Sequence, residues 1–120
     1  MRTPIFMEED NIDEEFCLSI YENSYDFYIV VLESFVKGGT NNLNELKQYF
    51  SEKNSEEYRI VVHGLKSSAA SIGAVELSSV ATDMDELYKS GDIEGMYSRH
   101  AELVKILTVT IDLIKVRLAQ

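Results

Sequence analysis

Proline is the residue that most surely stops a helix, and this chain of 120 residues has one, Pro4, ahead of every segment with apolar periodicity. Everything after position 4 is therefore open to helix, and segmentation falls to glycines and capping side chains. Ile12, Phe16 and Ile20 mark a short first helix over roughly 12–21. Asn23 or Ser24 caps a second, striped by Phe27, Tyr28, Val31, Leu32 and Phe35 and ended by Gly38-Gly39. A third follows from Thr40–Asn42 with Leu43, Leu46, Tyr49 and Phe50. Asn54 or Ser55 opens a fourth, with Glu57 at the capping-box position and Gly73 near its end. Leu77, Val80, Ala81, Met84, Leu87 and Tyr88 stripe a fifth, which Gly91 stops. Asp92 caps a last helix carrying Met96, His100, Leu103, Leu107, Ile111, Ile114 and Leu118. Short connections make sequential neighbours antiparallel. The expected fold is all-α: an up-down antiparallel four-helix bundle with one or two short additional N-terminal helices. Residues 1–11 are expected as a flexible N-terminus and 12–120 as the single bundle domain.

Charge narrows the partners. The balance is 11 basic against 21 acidic residues, a net −10, which disfavours nucleic acid and anionic membrane surfaces. One cysteine, Cys17, allows neither an internal disulfide nor a cysteine-based zinc site. No apolar run approaches the roughly 20 residues of a membrane span. The start, 1–7, meets Glu8-Glu9-Asp10 at once, unlike a signal peptide, so a cytoplasmic protein is expected.

Within the fourth helix, Val61, Val62, Leu65, Ser68, Ala69 and Ile72 share one face at helical spacing. His63 falls on the opposite face with Arg59, Lys66, Ser67 and Ala70. A histidine facing water beside a lysine and small side chains is poor core material. It suits an anionic group delivered by a partner. Gly64, inside the helix, costs about 1 kcal/mol relative to alanine. Either a partner or a neighbouring helix needs the space. His100 lies on an apolar stripe and reads as a satisfied, partly buried histidine. Asp83, Asp85 and Glu86 read as a solvated face, and Tyr28, Phe35 and Tyr88 as core stock that could border a docking patch.

The run His63-Gly64-Leu65-Lys66-Ser67-Ser68-Ala69-Ala70-Ser71-Ile72-Gly73-Ala74, with Leu77 beyond it, resembles the histidine-containing phosphotransfer (HPt) domain. His63, Leu65, Lys66, Ile72, Gly73, Ala74 and Leu77 stand where the family's pattern places them. Ala81, Met84 and Asp85 resemble its small residue and Leu-Glu pair, with Asp for Glu; Ser67 replaces a usual glycine. The resemblance implies a phosphorelay intermediate in two-component signalling. His63 would accept a phosphoryl group from a receiver aspartate or a kinase and pass it to a response-regulator receiver aspartate. An imidazole in water at pH 7 is mostly the neutral nucleophile, and phosphoryl transfer asks chiefly for alignment and charge neutralisation. Lys66, one turn on, would steady the phosphate. Arg59, Gly64, Ser67 and Ala70 would form the docking surface, with Gly64, Ser67 and Ala70 clearing the approach. The chain carries no glycine-rich nucleotide loop, so a carrier without autokinase activity is expected, not an enzyme. No cofactor or metal of its own is expected, Mg²⁺ belonging to the receiver. The expected partners are response-regulator receivers and a hybrid sensor histidine kinase, met by a monomer. The alternative is a helical adaptor that binds a signalling partner without taking phosphate.

Overall fold

Four capping side chains set the helix starts in the computed structural model, which describes residues 3–120. Asp13 accepts from the Phe16 amide and opens α1 (Glu14–Ile20). Ser24 caps α2 (Tyr25–Ser51) and Asn54 caps α3 (Ser55–Ile72). Asp92 caps α5 (Ile93–Ser98). Between them, α4 (Val75–Lys89) starts without a side-chain cap, and α6 (His100–Leu118) runs to the end. A 3-10 turn at Glu8–Asp10 precedes α1. The long helices α2, α3, α4 and α6 form the bundle: α3 packs on α2 and α4, and α6 closes against α2 and α4. The described residues contain no strand, only an isolated bridge between Ile12 and Ala74.

The all-α bundle agrees with the expectation; three details do not. Gly38-Gly39 does not end a helix, and the expected second and third helices are one. The core stripe explains this. Tyr28, Leu32, Phe35, Gly39 and Leu46 are all buried on one face, so packing carries the helix through residues that local propensity disfavours. Gly39 lies under α6, where an added Cβ would sit 3.2 Å from Ile111 Cδ1. The last helix, expected whole, divides at Arg99. There the Arg99 amide closes a tight i→i−3 bond to Met96, and its guanidinium bridges Asp83 of α4 and Glu102. In α1, Phe16 and Ile20 face outward while Glu14, Cys17 and Leu18 are buried.

Glu14 accounts for that reversal. Its carboxylate accepts the Ile5 and Phe6 amides and the Tyr25 hydroxyl at 2.8–2.9 Å, meeting the requirement that a buried acceptor be paired. Residues 5–13, most of them within the 1–11 stretch expected as a flexible N-terminus, thus carry several contacts. Phe6 is buried, and Asp10 holds Arg117 of α6 at 2.9 Å. The Asp13 amide donates to the Gly73 carbonyl at 2.8 Å. Residues 1 and 2 of that stretch lie outside the described residues.

The C-terminus of α3 is the best secured helix end. Gly73 takes the left-handed conformation, φ 82°, which suits a residue without Cβ. Tyr21 and Tyr28 donate to the Ser71 and Ile72 carbonyls at 2.6 and 2.8 Å, so the carbonyls a helix leaves over are taken up.

Candidate functional site

The periodicity of α3 decides where its side chains point. Val61, Val62, Leu65, Ala69 and Ile72 enter the core, and His63 consequently faces out with its side chain 52% exposed. Gly64, Ser67 and Ala70 are exposed around it, and Arg59 and Lys66 are partly covered. All six residues that the sequence singled out share this face.

What the sequence did not indicate is how these residues are organised. Asp85 of α4 is fully buried, although Asp83 and Glu86 beside it are exposed as expected. The solvated reading of Asp85 is therefore corrected. Its Oδ1 accepts Arg59 Nε at 2.9 Å, while Oδ2 accepts Lys66 Nζ at 2.9 Å and contacts His63 Nδ1 at 3.1 Å. Lys89, one turn along α4, brings a third cation to Oδ2 at 3.2 Å. Burial pulls the Asp85 carboxyl upward, but the bonds from Lys66, His63, Arg59 and Lys89 outweigh it and hold it well below the usual carboxylate range. A buried charge is tolerable only when paired in this way. Arg59 also lies over the Tyr88 ring at 5.5 Å. Three cations meet Asp85, and Glu86 adds only one further carboxylate, on Lys89 at 3.7 Å, so this corner carries surplus positive charge in a chain of net −10.

Several sequence alternatives resolve. A Cβ on Gly64 would meet nothing within 4 Å, so no neighbouring helix demands the glycine. Tyr28 and Phe35 are core residues, and only Tyr88 approaches the site. His100 stacks on Phe50 at 3.8 Å and pairs through Nδ1 with the Tyr58 hydroxyl at 2.8 Å. Among the described residues no group of His, Cys, Asp and Glu gathers as a metal-ligand set, and no described helix is long and apolar enough to cross a membrane.

Apolar side chains flank the polar cluster. Ile60, one turn before His63, is 54% exposed. At the far end of the face, Ala70 shares a shallow cavity of about 330 Å³ with Phe16, Gly73 and Val75. Phe16 was legible as a helix marker but not as a surface residue, because its face depends on Glu14.

An exposed imidazole with an anion-binding surplus beside it can receive and hold a phosphoryl group. Comparisons with known proteins point the same way. The family model described as Hpt domain matches residues 30–112. Among solved structures, histidine-containing phosphotransfer protein B (HptB) from Pseudomonas aeruginosa PAO1 aligns with a TM-score of 0.77 at 21% identity, over 92% of this chain and 96% of that one. At that identity the likeness speaks for the fold. No curated protein matches the chain.

Proposed function

The chain belongs to the Hpt domain family, whose members serve histidine phosphotransfer in two-component signalling as phosphocarriers rather than enzymes, and we propose that His63 is its phosphoacceptor. The observation that carries this is the exposed imidazole set among Arg59, Lys66 and Lys89, whose positive charge exceeds what Asp85 neutralises. Transferring phosphoryl groups spread negative charge over three oxygens, and fixed cations near them favour transfer. Lys66 is placed to shift from Asp85 to a phosphoryl oxygen, since both anions lie within reach of one flexible ammonium. The donor is a receiver aspartyl phosphate or a kinase, and the acceptor a second receiver aspartate. The receiver supplies the acidic pocket and Mg²⁺. Gly64, Ser67 and Ala70 leave room for the approaching loop, with Ile60 as an apolar contact beside them. The protein works as a cytoplasmic monomer through a transient interface.

Incubation with phosphorylated receivers tests this. Wild type takes up acid-labile, base-stable label, and His63→Gln keeps the fold but stays unlabelled. Equal labelling of both proteins overturns the assignment of His63. Binding without any label in wild type makes the chain an adaptor instead.

A further inference from the structure

We propose that His100 is a pH-sensitive latch: its neutral ring pins the start of α6 to α2 and α3 through Phe50 and Tyr58, and lets go when it takes up a proton. The latch lies away from the His63 face and stands independently of the acceptor reading above.

Hydrogen-bond inventory shows why the latch needs a neutral ring. The His100 ring lies flat on Phe50 of α2, with centroids 3.8 Å apart and planes 2° from parallel. Tyr97 of α5 meets Phe50 and Tyr58 edge-on at 5.4 and 5.3 Å, closing the aromatic group. At the ring edge, the Tyr58 hydroxyl of α3 is 2.8 Å from Nδ1. Tyr58 is completely buried, and burial pushes its phenol up, so the hydroxyl keeps its hydrogen. Nδ1 of His100 is its one hydrogen-bond partner among the described residues. The hydroxyl therefore donates, Nδ1 accepts with its lone pair, and the ring hydrogen sits on Nε2.

Protonation removes that lone pair. Two donors then face each other across 2.8 Å, and Tyr58 must turn its hydrogen into a core with no acceptor for it, which costs the desolvation of a buried donor. The surroundings do not compensate. Among the described residues no carboxylate forms an ion pair with His100. Asp83 of α4 and Glu102 of α6 are held by Arg99, and Glu94 of α5 acts on Tyr97. Lys47 of α2 repels a cationic ring, and Lys53 beyond the end of α2 already lies over Phe50 and Tyr97 at 5.6 Å. His100 is also the first residue of α6, where the helix dipole opposes positive charge. The Phe50 face favours a cation, but burial and Lys47 prevail and hold His100 below its ordinary titration. As pH falls, the unfolded chain thus binds this proton first. The stabilisation is whole above about pH 6.5 and is lost as pH drops toward the folded value. A ring that takes the proton leaves Phe50 for water and frees the start of α6.

Histidine NMR of the whole chain tests this directly, because His63 and His100 are its two histidines and His63→Gln assigns the signals. His100 is expected to carry its hydrogen on Nε2 and to titrate below about 6.5, the value of a free ring. A midpoint at or above that value overturns the proposal. Overhauser contacts between the His100 and Phe50 rings should vanish with the same midpoint; contacts that persist in the protonated form also overturn it. Both readings use chain in which the latch is intact and depend on no latch variant folding. Tyr58→Phe takes away the competing hydrogen and should raise the His100 midpoint, whereas an unchanged midpoint contradicts the latch. His100→Gln keeps an acceptor for Tyr58 but cannot titrate. Its urea midpoint should fall less than that of wild type between about pH 7.5 and about pH 5.5, and superimposable curves overturn the proposal.

Discussion

Under the proposed acceptor role of His63, Lys66 has two anions to choose between, one permanent and one delivered. In the free protein its ammonium rests on Asp85. Lys66→Ala is expected to slow phosphoryl transfer about tenfold, the scale of one partly solvated charge-assisted bond, while receiver binding stays measurable. Unchanged rates in a stopped reaction would show that the lysine serves Asp85 alone. Gly64 makes a complementary case. Its absent side chain would fill open space, so Gly64→Ala should raise stability by about 0.5–1 kcal/mol in urea unfolding. If the gap admits a partner, the same variant transfers more slowly. The shared face of His63 and Lys66 was readable because a one-turn spacing is local to a helix. The role of Asp85 was not, since 22 residues separate it from His63 and only the packing of α3 on α4 decides that it is buried while Asp83 and Glu86 are not. The family pattern marked its position without revealing its contacts.

At the scale of elements, local stop signals misled where a packed stripe ran through them. Gly38 and Gly39 have similar propensity but different surroundings. Nothing lies within 4 Å of a Cβ at Gly38, whereas at Gly39 it would press on Ile111 at 3.2 Å. Gly38→Ala is therefore expected to stabilise the protein by about 1 kcal/mol. Gly39→Ala should gain less or lose, because Ile111 must yield; equal shifts in the urea midpoint would contradict this. Gly73 was correctly legible as an end, and its requirement is strict. A Cβ there would sit 2.7 Å from the Asp13 carbonyl oxygen, in a backbone region side chains avoid. Gly73→Ala should cost about 2 kcal/mol or more. The break at Arg99 was not read from the sequence: beside the local Glu102, its guanidinium holds Asp83, which lies on another helix.

For the molecule as a whole, pH acts through groups that the fold holds away from their ordinary titration. Asp85 titrates lower in the folded chain than in the unfolded one. As pH falls, the unfolded chain binds that proton first. The stabilisation from this group is whole above about pH 3.9 and is lost as pH drops toward the folded value. Urea unfolding of wild type should accordingly weaken more steeply on acidification than that of Asp85→Asn. Cys17 provides a gauge of global opening. It is completely buried, and its thiol is pushed up to about 11 by burial and by the charge of Asp13. Alkylation near pH 8 should be slow in the native protein and fast in denaturant. Rapid native labelling would mean that α1 lifts from α3 without unfolding the bundle. The bundle itself was legible because binary patterning sets which faces meet. The attachment of residues 5–13 was not, being made by a few polar contacts at Glu14, Asp10 and Asp13 and by the burial of Phe6.

His63 occupies the middle of α3, more than two turns from both Ser55 and Ile72. Fraying is confined to the outermost turn or so of a helix, so the amides around the His63 ring belong with the slowest to exchange hydrogen with solvent. In the proposed acceptor role, His63 is mounted on a stationary anvil, and whatever closes the gap for transfer must travel on the visiting molecule.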